Sequence, residues 1–125
     1  MQVLLDTHVF LWLINGSRRL NKPAKAKIES ADRVFVSAAS IWEIAIKAQL
    51  GKMKADLDEV IRQIQANGFE ELPVYARHAK AVATLPRHHS DPFDRLLVAQ
   101  AVSETARLLT ADHPLRAYSE LVECI

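Results

Sequence analysis

Short apolar runs alternate with longer amphipathic segments along the whole chain, and this alternation restricts the fold more than any other feature. The runs are rich in Val, Leu and Phe and are typical of strands that are buried on both faces. They lie at residues 3–5, 34–36, 69–72 and 107–110 and near Val122. Strands that alternate with helices form a parallel sheet covered by helices on both sides. The sequence therefore predicts an α/β fold with three layers, α/β/α, around a central parallel sheet of four to five strands.

The helices are predicted from apolar residues at helical spacing and from the residues that begin and end each segment. Pro23 and Pro92 suit the first turn of a helix, where a missing N–H costs nothing, and Gly51 and Asn67–Gly68 are typical helix ends. The predicted helices cover residues 8–14, 23–31, 56–67, 75–85 and 92–105, with one more after the second strand that ends near Leu50 and a short one from Pro114. At 125 residues, the chain is expected to form a single domain, residues 1–125.

Composition excludes several classes of protein. Half of the residues are hydrophobic and a quarter are charged, which is globular rather than disordered composition. No apolar run approaches the ~20 residues of a membrane span, and Asp6 and His8 interrupt the stretch that would form a signal peptide. The lone Cys124 cannot form an internal disulfide or a thiolate metal cage. The cytoplasm is therefore the expected compartment.

Positive charge is concentrated in the first half of the chain. Residues 1–55 carry nine Lys and Arg against four acids, and residues 56–125 carry seven against eleven. One stretch holds five cations and no acid: Arg18, Arg19, Lys22, Lys25 and Lys27. These side chains are candidates for contact with the phosphates of a nucleic acid. A solvated helix face is the alternative interpretation.

Four acids lie where predicted strands end or the following helices begin. They are Asp6, Glu43, Asp94 and Asp112. Each also has a purely structural interpretation as a helix-capping residue. Asp6 and Asp112 could cap the turns that follow them, Ser40 and Glu43 match a capping box, and Asp94 suits the third position of a helix capped by Asp91.

Chemistry gives a reason why all four are acids. Several carboxylates in one cleft repel one another and cannot all ionise easily. A hard divalent cation removes that repulsion, and Mg²⁺ and Mn²⁺ take oxygen ligands of this kind. The absence of a cysteine cluster and of an obvious histidine cluster favours metal-assisted cleavage of a phosphodiester bond.

Four segments also carry a resemblance to a known family. They read Leu4-Leu5-Asp6-Thr7, Ser37-x-x-Ser40-x-Trp42-Glu43, His89-x-Asp91-Pro92-Phe93-Asp94-Arg95-Leu96-Leu97-x-Ala99-Gln100-Ala101 and Leu109-Thr110-x-Asp112. In order and spacing they resemble the PIN-domain signature in its VapC-type toxin form, over nearly the whole chain. The run Asp-Pro-Phe-Asp-Arg-Leu-Leu is the most specific part.

The resemblance implies an endoribonuclease that uses Mg²⁺ or Mn²⁺, is neutralised by a small VapB-type antitoxin protein and forms a homodimer. Asp6, Glu43 and Asp94 match the three main catalytic acids, and Asp112 matches a fourth, less constant one. Asp6 and Asp94 are the expected metal ligands, with Glu43 and Asp112 binding directly or through water. Three residues match supporting hydroxyl positions: Thr7, Ser37 and Thr110. The expected reaction is attack of a metal-activated water on an RNA phosphate.

A receiver-like signalling module, which binds Mg²⁺ and accepts a phosphoryl group on Asp, is the alternative function. That class requires a pair of acids after the first strand and a Lys after a late strand, whereas this chain has Asp6 alone and His113 after Asp112.

Several residues outside the quartet also have two interpretations. His88 and His89 could indicate zinc, but neighbouring side chains of an extended loop point apart and no third nitrogen or sulfur ligand has a suitable spacing. His8 is interpreted as a residue near the metal site rather than a ligand. Trp12 and Trp42 are expected in the core, with partial exposure of one of them to a partner protein as the alternative. Arg95 is expected to pair with a local carboxylate, with a contact to substrate as the alternative.

Overall fold

The computed structural model describes residues 1–125 and contains five strands, six α-helices and one 3₁₀ helix. The strands are β1 (Gln2–Leu5), β2 (Arg33–Ser37), β3 (Glu70–Leu72), β4 (Arg107–Thr110) and β5 (Val122–Cys124). The α-helices are α1 (Thr7–Ile14), α2 (Lys22–Ser30), α3 (Ala38–Gln49), α4 (Leu57–Ala66), α5 (Ala76–Val82) and α6 (Pro92–Glu104), and the 3₁₀ helix is His113–Ala117. No helix is long and apolar enough to cross a membrane.

All five strands pair in parallel, in the order β3-β2-β1-β4-β5, which confirms the predicted fold class. The chain builds outward from β1 to β3 and then returns to add β4 on the other side of β1. Ligands of such sheets bind beyond the carboxyl ends of the strands at the point where the order reverses. That point lies between β1 and β4, where Leu5 is in register with Leu109.

Side chains of the central strands point alternately into two hydrophobic clusters. Val3 and Leu5 of β1 lie in the cluster beneath α1–α4, together with Phe10 of α1. Leu4 lies in the opposite cluster, with Leu97 of α6. All five of these side chains are buried, so β1 is covered on both faces and its carboxyl end has a fixed position.

The structure excludes the alternative interpretation of Ser40 and Glu43 as a capping box. β2 passes directly into α3, and Ser37 is the N-cap, with its hydroxyl oxygen accepting a hydrogen bond from the amide of Ala39 at 3.0 Å. Glu43 therefore lies in the second turn of α3, too far along the helix to reach back to the cap. Asp112 also makes no side-chain capping bond. Capping consequently gives no reason for an acid at either position.

Candidate metal-binding active site

Asp6 is held at the carboxyl end of β1 by two hydrogen bonds. Its Oδ1 accepts from the amide of Val9 at 2.8 Å, which makes Asp6 the N-cap of α1. Its Oδ2 accepts from the Thr110 hydroxyl at the end of β4, at 2.5 Å. Burial raises the pKa of Asp6, and the bonds from Thr110 and Val9 act in the opposite direction. Capping and a role in a charged site are thus compatible at this residue.

Asp94 is placed by the cap of α6. Asp91 is the N-cap, as predicted, and its Oδ1 accepts from the amides of Phe93 and Asp94 at 2.8 and 3.2 Å. Asp94 then lies at the third helical position, where burial and the charges of four neighbouring acids raise its pKa to about 7. Those neighbours are Asp91, Asp6, Glu43 and Asp112. The other three candidate acids therefore lie close enough to Asp94 for their charges to act on it.

Glu43 reaches the same place from α3. Its side chain is only 6% exposed, and Oε2 lies 3.0 Å from the ammonium of Lys47 one turn later. The charge of Glu43 also raises the pKa of Asp6. Lys47 was not identified from the sequence, although its i, i+4 spacing from Glu43 is a recognisable signal.

Asp112 completes the cluster from the loop after β4, together with a histidine. Its amide donates to the Thr110 hydroxyl oxygen at 3.0 Å, so Thr110 links Asp112 to Asp6. Nε2 of His89 lies 2.9 Å from Oδ2 of Asp112 and 3.9 Å from Oδ2 of Asp94. One potential ligand atom from each of these three side chains falls within 4.8 Å of the others. Sequence reasoning did not place His89 in the site.

The chemistry of this donor set fits a hard divalent cation. Four carboxyl groups converge, and only Lys47 and His89 bring nitrogen close to them. Burial raises the pKa of Asp94, and the negative charges of the neighbouring acids raise it further. A cation with oxygen ligands would relieve that crowding. Mg²⁺ and Mn²⁺ both have this preference.

The sequence model of the PIN domain matches residues 3–121. The chain belongs to the PIN-domain family. It is 34% identical over 122 residues to Ribonuclease VapC22 of Mycobacterium tuberculosis, with 93% of this chain and 91% of the relative covered.

Two solved structures share the PIN fold of this chain at low sequence identity. One is VapBC2 of Rickettsia felis bound to a promoter DNA fragment, with a TM-score of 0.73, 15% identity and 100% and 98% of the two chains covered. The other is a toxin–antitoxin complex from Klebsiella pneumoniae, with a TM-score of 0.66, 17% identity and 98% and 95% covered.

The three hydroxyl residues expected around the PIN-domain site have different contacts. Thr110 bonds directly to Asp6. Thr7 donates to the Ser40 hydroxyl at 2.9 Å, and Ser37 caps α3. Thr7 and Ser37 therefore fix the start of the helices that lead away from the site, and Thr110 alone contacts an acid.

The expectation that Arg95 pairs with a carboxylate is wrong. Its guanidinium donates to three backbone carbonyls between α5 and α6, at 2.8–3.4 Å, and to the Tyr118 hydroxyl at 3.0 Å. The carbonyls belong to Val82, Leu85 and Pro86. Arg95 thus holds the loop between α5 and α6, which carries His88 and His89, against α6.

Replacing Arg95 by Lys is expected to lower the free energy of unfolding by about 1.5–3 kcal/mol, the range for hydrogen bonds to a charged group. A single ammonium cannot reproduce the planar set of donors that binds four acceptors. Urea denaturation of Arg95→Lys measures the effect. Arg87→Lys, at an exposed position of the same loop, is the matched control, and equal stability of the two variants would contradict the role given to Arg95.

Of the two tryptophans, one lies against the core and the other is exposed. Trp12 is half-buried against the first cluster, but Trp42 is 61% exposed and packs edge-on against Phe93 at 5.1 Å between ring centroids. Trp42 and Phe93 directly precede Glu43 and Asp94 in the sequence. An aromatic pair with one exposed member therefore borders the site of Asp6, Glu43, Asp94 and Asp112, which we call the acidic cleft. His8 is exposed and makes no ion pair with an acid, although its charge lowers the pKa of Asp6.

Proposed function

We propose that this PIN domain is a metal-dependent endoribonuclease toxin of the VapC type. The convergence of Asp6, Glu43, Asp94 and Asp112 at the carboxyl edge of the sheet is the observation that carries the proposal. The 34% sequence identity to Ribonuclease VapC22 supports RNA as the substrate. The receiver-like alternative is not favoured, because the family is a different one and no Lys follows Asp112.

In the proposed site Asp6 and Asp94 hold Mg²⁺ or Mn²⁺, and Glu43 and Asp112 bind it directly or through water. The bound cation would lower the pKa of water and stabilise negative charge on phosphoryl oxygens. Thr110 keeps Asp6 and Asp112 in fixed relation, and Lys47 holds Glu43. Water attacks phosphorus, a carboxylate of the set takes its proton, and the bond to the leaving ribose oxygen breaks.

Cleavage of end-labelled RNA by the purified protein tests this function. We expect cleavage with Mg²⁺ or Mn²⁺ and none with EDTA, restored when excess Mg²⁺ is added. The same preparation incubated with a small phosphoryl donor should remain unphosphorylated. Phosphorylation on Asp6 that is labile to base and hydroxylamine, without RNA cleavage, would support the receiver-like function instead.

We propose a small VapB-type antitoxin as the protein partner. The solved structures that share this fold include VapBC2 of Rickettsia felis and a toxin–antitoxin complex from Klebsiella pneumoniae, which supports this assignment. The acidic cleft is suited to a cation from that partner, since a guanidinium binds a carboxylate through two parallel hydrogen bonds. An arginine side chain of the antitoxin could therefore occupy the cleft in place of the metal.

The basic stretch remains a proposal for contact with the RNA backbone, with one member less suited than the rest. Arg18, Arg19, Lys22 and Lys25 are exposed, but the ammonium of Lys27 lies 3.0 Å from Glu123 of β5. A cation that already has a carboxylate partner gains less from a phosphate. Lys27 is therefore expected to contribute least.

Replacing Arg18 and Arg19 together by Gln is expected to reduce the salt dependence of RNA binding. Each phosphate contact to a single strand contributes about 0.7 to the slope of log K against log salt, so the slope should fall by about 1.4. Fluorescence anisotropy of labelled RNA in EDTA, recorded from low to moderate salt, measures this slope. Lys27→Gln is the control and should change the slope much less, and an unchanged slope in the double variant would exclude this stretch from the RNA path.

We also propose a homodimer formed through helices. α3 exposes apolar surface at Trp42, and so does its C-cap residue Leu50; the two are 61% and 63% exposed. Light scattering should give twice the chain mass of 14.0 kDa. A monomer mass across a wide range of concentrations would contradict the dimer.

A further inference from the structure

The imidazole of His89 lies inside the acidic cleft, and its position there would fit two different roles. His89, Asp94 and Asp112 together resemble the one-histidine, two-carboxylate sets that bind transition metals. The same imidazole could instead be a hydrogen-bond donor that positions a carboxylate. The two roles require opposite states of Nε2, the ring nitrogen that faces the acids: a metal ligand needs its lone pair, and a donor needs its proton.

The backbone decides between these states. The amide of Asp91 donates to Nδ1 of His89 at 3.0 Å, so Nδ1 must be unprotonated. A neutral imidazole carries one proton, and here it must be on Nε2. Nε2 therefore presents an N–H toward Asp112 at 2.9 Å and Asp94 at 3.9 Å.

We propose that His89 is a positioning residue that holds Asp112 through Nε2–H and that it is not a metal ligand; this rests on the proposed metal site. The structure gives the Asp112 carboxylate no other hydrogen-bonding or ion-pair partner. Asp6, by contrast, has two. Without His89 the Asp112 side chain would be free to rotate at the edge of the cleft.

Several hydrogen bonds hold the loop segment that carries the His89 ring, as a positioning role requires. The amide of His89 donates to the Tyr118 hydroxyl at 2.8 Å, and Arg95 donates to the same hydroxyl at 3.0 Å. The amide that fixes the tautomer belongs to Asp91, the cap of the helix that carries Asp94. One cap therefore orients both a carboxylate and the imidazole beside it.

One consequence concerns the choice of metal. With Nε2 protonated, the ligands that remain in the cleft are carboxylate oxygens, which suit Mg²⁺ and Mn²⁺. Metals that favour imidazole nitrogen, such as Zn²⁺ and Ni²⁺, gain no advantage from His89.

Two spectroscopic measurements test the tautomer and the absence of coordination. Two-bond ¹H–¹⁵N NMR spectra of the imidazoles, with the His89 signals assigned from their loss in His89→Gln, should show the Nε2–H tautomer before and after Mg²⁺ is added. Electron spin-echo spectra of the Mn²⁺-loaded protein should show no directly bound nitrogen that disappears in His89→Gln. An Nδ1–H tautomer, or such a nitrogen signal, would overturn the proposal.

Metal binding measured by calorimetry tests the positioning role. His89→Ala should weaken Mg²⁺ binding about tenfold or more, the lower end of the range for residues that orient a ligand. His89→Gln, whose amide can still donate to Asp112, should recover most of the affinity. His88→Ala is the matched control, because His88 packs against Tyr118 at 5.1 Å rather than against the acids, and its affinity should match the wild type.

The outcomes separate this inference from the proposed function. If the wild type binds Mg²⁺ and cleaves RNA while His89→Ala binds Mg²⁺ equally well, the role of His89 is wrong and the nuclease assignment stands. If the wild type binds Mg²⁺ with the His89 effects described but leaves RNA intact, the metal site stands and the nuclease assignment fails.

Discussion

Asp94→Asn is expected to fold normally and to lose RNA cleavage by orders of magnitude, whereas Asp91→Asn, three residues away, should keep much of it. Asp91 acts as a cap that accepts hydrogen bonds from two amides, and Asn caps a helix about as well as Asp. Asp94 lies among the other acids, where the full negative charge is needed because an amide is a poor ligand for Mg²⁺. Cleavage rates at saturating Mg²⁺ compare the two variants.

Thermal melts are the control for folding in both variants. The interaction of Asp94 with the helix dipole contributes only about 0.3–1 kcal/mol, so its loss does not unfold the protein. An active Asp94→Asn, or a well-folded but inactive Asp91→Asn, would mean that the cap and the ligand are assigned the wrong way round.

Without metal, the stability of the wild type relative to Asp94→Asn should fall as the pH rises from 5 to 8. The pKa of Asp94 is raised from 3.8 to about 7 in the folded protein. Between these values the native state holds a proton that the unfolded chain has released, so its stability falls as pH rises and levels off above about 7. The difference in free energy of unfolding should grow by at least about 1 kcal/mol, given 1.36 kcal/mol per pKa unit and solvent screening.

Urea denaturation of both proteins in EDTA, at pH 5 and pH 8, measures that difference. Taking the difference cancels the titrating groups that do not interact with Asp94, among them His78, whose pKa is lowered by burial. Mg²⁺ at about 100 times its dissociation constant should then stabilise the wild type at pH 8 by about 2.7 kcal/mol and Asp94→Asn much less. A pH-independent difference would show that Asp94 is not crowded by negative charge.

The fold could be predicted from the sequence because its signals are local. Apolar runs marked all five strands within one or two residues, and Pro92 together with Asp91 located the start of α6. Errors arose where two local signals competed. Ser40 and Glu43 match a capping box, but β2 continues to Ser37 and the helix begins three residues earlier.

The acids were predictable as a set because topology brings the ends of parallel strands together. The residues that contact these acids were not predictable, since the contacts join residues that are distant in the sequence. Arg95 binds backbone carbonyls of a loop whose path no pattern specifies. His89 reaches Asp112 only because that loop folds over the cleft, and the exposure of Trp42 depends on what α3 leaves uncovered.

The pairing of the central strand with one of the last strands also has a consequence for synthesis of the protein. Asp6 leaves the ribosome about a hundred residues before its partner Thr110 and the nearby Asp112. A growing chain that ends before β4 has neither the strand beside β1 nor the fourth acid. The proposed nuclease cleft therefore stays incomplete on the ribosome until β4 and the loop after it have been synthesised.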